Sequence, residues 1–180
     1  MNERITLVGI FDKKNSEKIT KMVSKTNQKL CKVPFGKKVT NRYEVDTLPY
    51  HFTLSAWDIS QKEEVLNKLS NLKLNKVNLA IDDITIMNGA ENSYVLHFNI
   101  KPTRKLRTLQ ETIYNALPTQ KYNPSHIKFH ITIHIDKDLQ KTLEIKRQIE
   151  QDFTSFELKL DNIGLFEIYP AKLVTEYNLI

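Results

Sequence analysis

One cysteine in 180 residues leaves Cys31 with no internal disulfide partner, which excludes a fold stapled by disulfides. The expectation is a reducing, cytoplasmic setting. No histidine stands near Cys31 in sequence to activate it, so it reads as a buried structural thiol rather than a nucleophile. The chain also lacks any Gly/Ser linker or low-complexity tract that would divide it. No apolar run approaches the roughly 20 residues needed to cross a bilayer. The opening "MNERITLVGIF" carries an early acid and an apolar stretch too short for a secretory signal. The reading is one domain over residues 1–180, with no membrane association and nothing that demands an obligate protein partner.

Charge is plentiful, and its balance is basic. Lysine and arginine number 27 against 21 aspartates and glutamates, a net charge of +6. Such a surface favours anionic partners such as RNA, nucleotides or phosphate without choosing among them. Richness in lysine and asparagine describes an ordinary soluble surface equally well.

"RITLVGIF", residues 4–11, has the composition of a strand. Behind it, Ile19, Met22, Val23 and Leu30 recur at helical spacing, with Ser16 as the expected N-cap. A long basic connection, "CKVPFGKKVTNRYEVDTLPY", then leads to "PYHFTLSAWD", an alternating strand from about Tyr50 to Asp58. Ser60 and Glu63 are spaced as a capping box before a helix carrying Val65, Leu66 and Leu69. "NGAEN" reads as the turn of a hairpin between "KVNLAIDDITIM" and "SYVLHFNI". A helix from Thr103 to Pro118, a second alternating strand "KFHITIHID" and a helix from Asp138 carrying Leu139, Leu143 and Ile149 follow. The tail reads as two or three strands. Each half thus runs strand, helix, alternating strand, helix, strand: a repeat of order rather than of identity. It predicts sheet with helices packed on it, and related positions for the two alternating strands.

Those two strands carry the chemistry. Residues two apart on a strand share a face about 6–7 Å apart. Uninterrupted alternation puts His51, Thr53, Ser55 and Trp57 on one side of the first strand. It puts Lys128, His130, Thr132 and His134 on one side of the second, with the apolar residues of both facing the helices. An H-x-T triplet can therefore present an imidazole and a hydroxyl to one tetrahedral anion. Two triplets would supply two proton-transfer groups titrating near neutrality, as in-line phosphoryl displacement requires. One such triplet means little; two, centred in similar halves, are hard to ascribe to chance. His126, His130 and His134 recur every four residues, which would suit a metal only on a helix. On a strand they span about 13 Å, too far for one ion. No acid is placed to complete a triad with Thr53 or Thr132.

Paired "HFTL" (His51 to Leu54) and "HITI" (His130 to Ile133) in a duplicated chain of this size resemble the two-histidine (2H) phosphoesterase superfamily, in particular its bacterial branch of 2′-5′ RNA ligases and cyclic phosphodiesterases. The tail "FELKLDNIGLFEIYPAKLVTEYNL" is similar to that family's closing strands, so the likeness spans nearly the whole chain. The resemblance implies a duplicated, bilobal α+β fold, with antiparallel sheets and outer helices around a central cleft that carries the two H-x-T strands. The lobes would be roughly residues 1–90 and 91–180, with room for the C-terminal strands to cross over. It further implies no metal and no cofactor. His51 and His130 would be the acid–base pair, and Thr53 and Thr132 would hold phosphate oxygens. The substrate would be an RNA end or nucleotide with a 2′,3′-cyclic phosphate or a 2′-5′ linkage, hydrolysed or joined. A non-catalytic phosphate-binding module is the competing expectation. Lysine or arginine would hold phosphate more firmly than histidine but cannot exchange protons near neutrality.

Four further residues are candidate substrate contacts: Arg42 and Tyr43 in the basic connection, Lys128 beside His130, and Tyr169, which could stack on a base. His97 reads as structural, and His134 as sharing the His130 face further along, beyond the phosphate.

Overall fold

The computed structural model describes residues 4–24, 50–120, 127–168 and 172–180. Eight strands run β1 (Arg4–Ile10), β2 (His51–Asp58), β3 (Val77–Asn88), β4 (Tyr94–Ile100), β5 (His130–Asp136), β6 (Phe156–Leu160), β7 (Asn162–Ile168) and β8 (Lys172–Asn178). Four helices, α1 (Lys13–Val23), α2 (Lys62–Ser70), α3 (Arg104–Ala116) and α4 (Leu139–Glu150), lie between them. The strands form two four-stranded antiparallel sheets ordered β2-β1-β7-β8 and β5-β4-β3-β6. No helix among the described residues is long and apolar enough to cross a membrane.

The repeat of order emerges as equivalent placement. β1 pairs with β2 and β4 pairs with β5, so each H-x-T strand is the edge strand of its sheet. β3 belongs to the second sheet. A tight turn through Glu91 and Asn92, at φ 55° and 58°, keeps β3 beside β4 in the second sheet. β7 and β8 cross back to complete the first sheet.

Helix starts differ from the sequence expectation at two places. Asp12, not Ser16, caps α1: its carboxylate accepts the Asn15 backbone N–H at 2.7 Å, and a carboxylate one turn earlier outcompetes a hydroxyl already inside the helix. Ser60 and Glu63 make no capping box, because Ile59–Gln61 form a 3-10 turn that delays α2 to Lys62. Thr103 and Asp138 cap α3 and α4 as their sequences suggest. On α4 the buried face is Thr142, Ile145 and Ile149, while Leu139 is exposed. The Asn15 side chain reaches across to the backbone of Lys159 on β6, satisfying polar groups at the edge of the other sheet.

One core runs through both sheets, including Leu7, Phe52 and Trp57 from the first and Phe98, Ile131 and Leu158 from the second. Each such side chain contributes about 1.5–3 kcal/mol by leaving water. Where the sheets meet, β2 and β5 adjoin, and the rings of Phe52 and Phe129 pack edge to face at 6.0 Å. Gly9, opposite Phe52 in register, has no side chain because any Cβ there would collide with the Phe52 ring.

Neither H-x-T strand alternates without interruption. In β2, Val8 faces Thr53 but Leu7 faces Ser55, so Leu54 is an extra, bulged residue. In β5, His97 faces Thr132 but Leu96 faces His134, so Ile133 is the extra residue. Both bulges fall on the fourth residue of the motif. Each reverses the faces beyond it, because pairing with the neighbouring strand, not the local pattern, decides which side a residue takes.

Candidate active site

The bulges define where the site ends. Upstream, His51 and Thr53 stay on the face shared with Ile10 and Val8, and His130 and Thr132 on the face shared with Asn99 and His97. Downstream, Ser55 and Trp57 pair with Leu7 and Ile5 and are fully buried. The Trp57 indole N–H donates to the Pro118 carbonyl at 3.0 Å, and Ser55 bonds the Gln120 side chain. His134 likewise pairs with the core residue Leu96 and is 2% exposed. The shared face expected for Ser55, Trp57 and His134 with their motif histidines is therefore corrected. His130 and His134 lie on opposite sides of β5.

Because β2 and β5 are adjoining edges, the two motifs meet. A cavity of about 130 Å³ is lined by His51, Phe52, Thr53, His130 and Thr132, with Arg4, Thr6 and Val8 of β1 and Phe166 and Ile168 of β7. This volume is roughly four times the share of one liquid water. It suits a phosphoryl group, with the rest of any substrate extending outward. The last five residues were not among the sequence candidates. Arg4 and Thr6 alternate with apolar neighbours in "RITLV", a signal that β1 has a polar face. Phe166 and Ile168 arrive through β1–β7 pairing, for which local sequence carries no signal.

The lining is built to meet an anion. Thr6 Oγ1 is buried and has no hydrogen-bond partner among the described residues, an unusual state for a hydroxyl. Arg4 brings a permanent positive charge to the same cavity. The His130 Nδ1–H donates to the Lys128 carbonyl at 2.8 Å, which leaves Nε2 as the nitrogen available for proton exchange. Burial holds the pKa of His130 below the usual histidine value, against the opposing pull of that carbonyl.

Lys128 thus contributes through its backbone; its side chain is exposed and does not line the cavity. Arg42, Tyr43 and Tyr169, with Cys31 and His126, lie outside the described residues. His97 is buried on β4, with its ring edge-to-face against His130 at a centroid separation of 5.0 Å. Its Nδ1–H donates to the Val95 carbonyl at 3.2 Å, and Nε2 lies 2.9 Å from Thr85 Oγ1. No cluster of three metal-ligating side chains occurs among the described residues.

Comparison with known proteins gives this arrangement its context. A family model for the 2′-5′ RNA ligase superfamily matches residues 5–169. No curated protein sequence matches the chain. Among solved structures, E. coli LigT complexed with 3′-AMP aligns with a TM-score of 0.59 at 11% identity, covering 99% of this chain and 98% of that one. E. coli LigT complexed with phosphate gives 0.57 at 12% identity, covering 99% and 98%. Kluyveromyces marxianus Usb1 with uridine monophosphate gives 0.52 at 10% identity, covering 99% and 97%. At these identities the likeness establishes the fold. Fold and family together define a phosphoesterase-type enzyme of the two-histidine class. The chain belongs to the 2′-5′ RNA ligase superfamily.

Proposed function

We propose that the protein is a metal-independent phosphoesterase acting on RNA ends or nucleotides that carry a 2′,3′-cyclic phosphate or a 2′-5′ linkage, with His51 and His130 as the acid–base pair. The observation that carries this reading is the convergence of both H-x-T triplets, from strands 79 residues apart in the chain, on one small cavity. Nucleotides and phosphate bound by LigT and Usb1 support the substrate class.

In hydrolysis of a cyclic phosphate, one imidazole accepts a proton from water as its oxygen bonds to phosphorus. The P–O bond to the ribose oxygen breaks, and the second imidazole protonates that oxygen as it leaves. The product is a ribose phosphomonoester. In a 2′-5′ linkage the neighbouring ribose hydroxyl takes the place of water, and ligation runs the same steps backwards. Thr53 and Thr132 donate hydrogen bonds to the non-bridging oxygens, where negative charge builds up in the transition state. Arg4 and Thr6 are placed to add to that stabilisation.

The test is turnover of 2′,3′-cyclic nucleotides and 2′-5′-linked oligoadenylate in EDTA by the wild type, His51→Ala and His130→Ala. The expected result is activity that survives chelation and falls about 10²–10⁴-fold in each variant. Wild-type protein that binds RNA with steep salt dependence but turns over no substrate would instead be a binding module. Activity abolished by EDTA would overturn the metal-independent mechanism.

A further inference from the structure

The two motifs are equivalent in sequence and position but not in surroundings. In the first sheet, the β1 residues opposite His51 and Thr53 are Ile10 and Val8. In the second, the β4 residues opposite His130 and Thr132 are Asn99 and His97. Where one motif histidine has an aliphatic neighbour strand, the other has a third imidazole.

That imidazole is held at both nitrogens. With Nδ1–H given to the Val95 carbonyl, Nε2 accepts the Thr85 hydroxyl proton. Thr85 Oγ1 also lies 3.3 Å from Asn99 Oδ1, and Asn99 Nδ2 donates to Asp83 at 3.4 Å. His97 is therefore a fixed wall, 6% exposed, against which the His130 ring stands at 64°. The His130 ring is fixed from its other side by the Lys128 carbonyl.

We propose that His97 is a positioning residue: it fixes the ring of His130 through the contact between the two rings, and it makes a proton on either imidazole unfavourable while the other carries one. The β1 residues at the equivalent register positions, Ile10 and Val8, are aliphatic. This rests on the proposed function for its consequence in catalysis, but not for the coupling itself. His97 is held below the usual histidine value by burial first and by the neighbouring His130 second, with the Val95 carbonyl, Asn99 and Asp83 opposing. His130 is depressed by burial alone against the Lys128 carbonyl, so the repulsion falls on His97 as the second of the two to take a proton. Among the described residues, the other charged or titratable groups that line the cavity with His130 are His51 of β2 and Arg4 of β1. They are common to the wild type and the variants, so the difference between them isolates His97.

The experiment is an NMR titration of the histidine ring protons in the wild type, His97→Gln, His97→Val and His130→Ala. Gln keeps a hydrogen-bonding group toward Thr85 but cannot carry a proton; Val reproduces the environment that Val8 gives the first motif. The expected result is a His97 titration moved to higher pH in His130→Ala, where the neighbouring proton is gone, and His130 ring shifts changed in both His97 variants by loss of the facing ring. In turnover by the His97 variants, kcat should fall about tenfold with little change in KM, the mark of a misplaced group. A His97 titration unchanged in His130→Ala would overturn the coupling, and His130 ring shifts unchanged in both His97 variants would overturn the positioning, whatever the activity. Should the wild type turn over no substrate, the catalytic reading fails while the titration still decides the coupling.

Discussion

The first sheet places hydrophobic bulk beyond its motif, whereas the second places polar groups that burial does not favour. Past the bulge at Leu54, β2 buries Ser55 and Trp57, and both find partners at the end of α3. Past the bulge at Ile133, β5 buries His134, whose ring nitrogens make no well-formed hydrogen bond among the described residues, Asp136 standing off at 3.5 Å. Behind the motifs, β1 offers Ile10 and Val8, and β4 offers Asn99 and His97. The two motifs nevertheless hold equivalent edge positions around one cavity. The first half anchors the site in the core, while the second surrounds its histidine with other titrating groups.

Removing the bulges puts that comparison under the greatest strain. Deleting Leu54 closes the bulge: Thr53 and Ser55 become consecutive and keep Val8 and Leu7 as partners, so His51 and Thr53 still face the cavity and Trp57 still faces the core. The cost is the buried Leu54 side chain, on the order of 2–5 kcal/mol. Trp57 is the only tryptophan, so its fluorescence reports whether the core face holds. An unchanged emission is expected; a red shift would show that the bulge, not the pairing with β1, sets that face. Deleting Ile133 should likewise leave His134 on the core face at a similar cost. A much smaller loss of Tm there would show that the second half packs its motif strand less tightly than the first.

Replacing the motif hydroxyls has a smaller expected effect. Thr53→Val and Thr132→Val keep the shape and remove one donor each to a charged group, a hydrogen bond worth about 1.5–3 kcal/mol. Each should lower kcat/KM by roughly ten- to a hundredfold, with little change in Tm. If the losses are equal, the halves share the phosphoryl group symmetrically. A markedly larger loss at Thr132, the threonine beside His97, would show that the polar half dominates. No loss in either variant would remove the threonines from the site.

Local pattern was enough to read the strands, the helices and the paired motifs, because amphipathic periods and the caps at Thr103 and Asp138 are properties of short stretches. What escaped depends on pairing between distant segments. "HFTLSAW" and "HITIHI" alternate through their bulges, and only the register against β1 and β4 reveals the extra residues. His134 looked like a neighbour of the site for that reason. Phe166 and Ile168 join the cavity through β7, more than 150 residues from β1. Arg4 and Thr6 were legible as a polar face but were passed over in a strand named for its apolar residues.

The finest contrast between the halves is in acid. His97, His130 and His134 all belong to the second sheet, and burial is the first cause that depresses each of them. For His134 the nearby Asp136, at 3.5 Å, opposes the depression and Lys141 reinforces it. Lys141 also holds that carboxylate at 2.7 Å. In the unfolded chain a histidine titrates near 6.5, and folded His134 titrates lower. Between the two values the unfolded state binds more protons, so stability is complete above 6.5 and declines as the pH falls toward the folded value. His134→Leu removes that proton uptake and an unsatisfied polar group together. It should raise Tm at pH 5 relative to the wild type and change it little at pH 8, as read by thermal denaturation across that range. His97 and His130 still titrate in the variant, so part of the acid loss must remain. A variant with the wild-type pH slope would show that His134 meets no penalty in the core, and that the second half bears its buried imidazoles at no cost in acid.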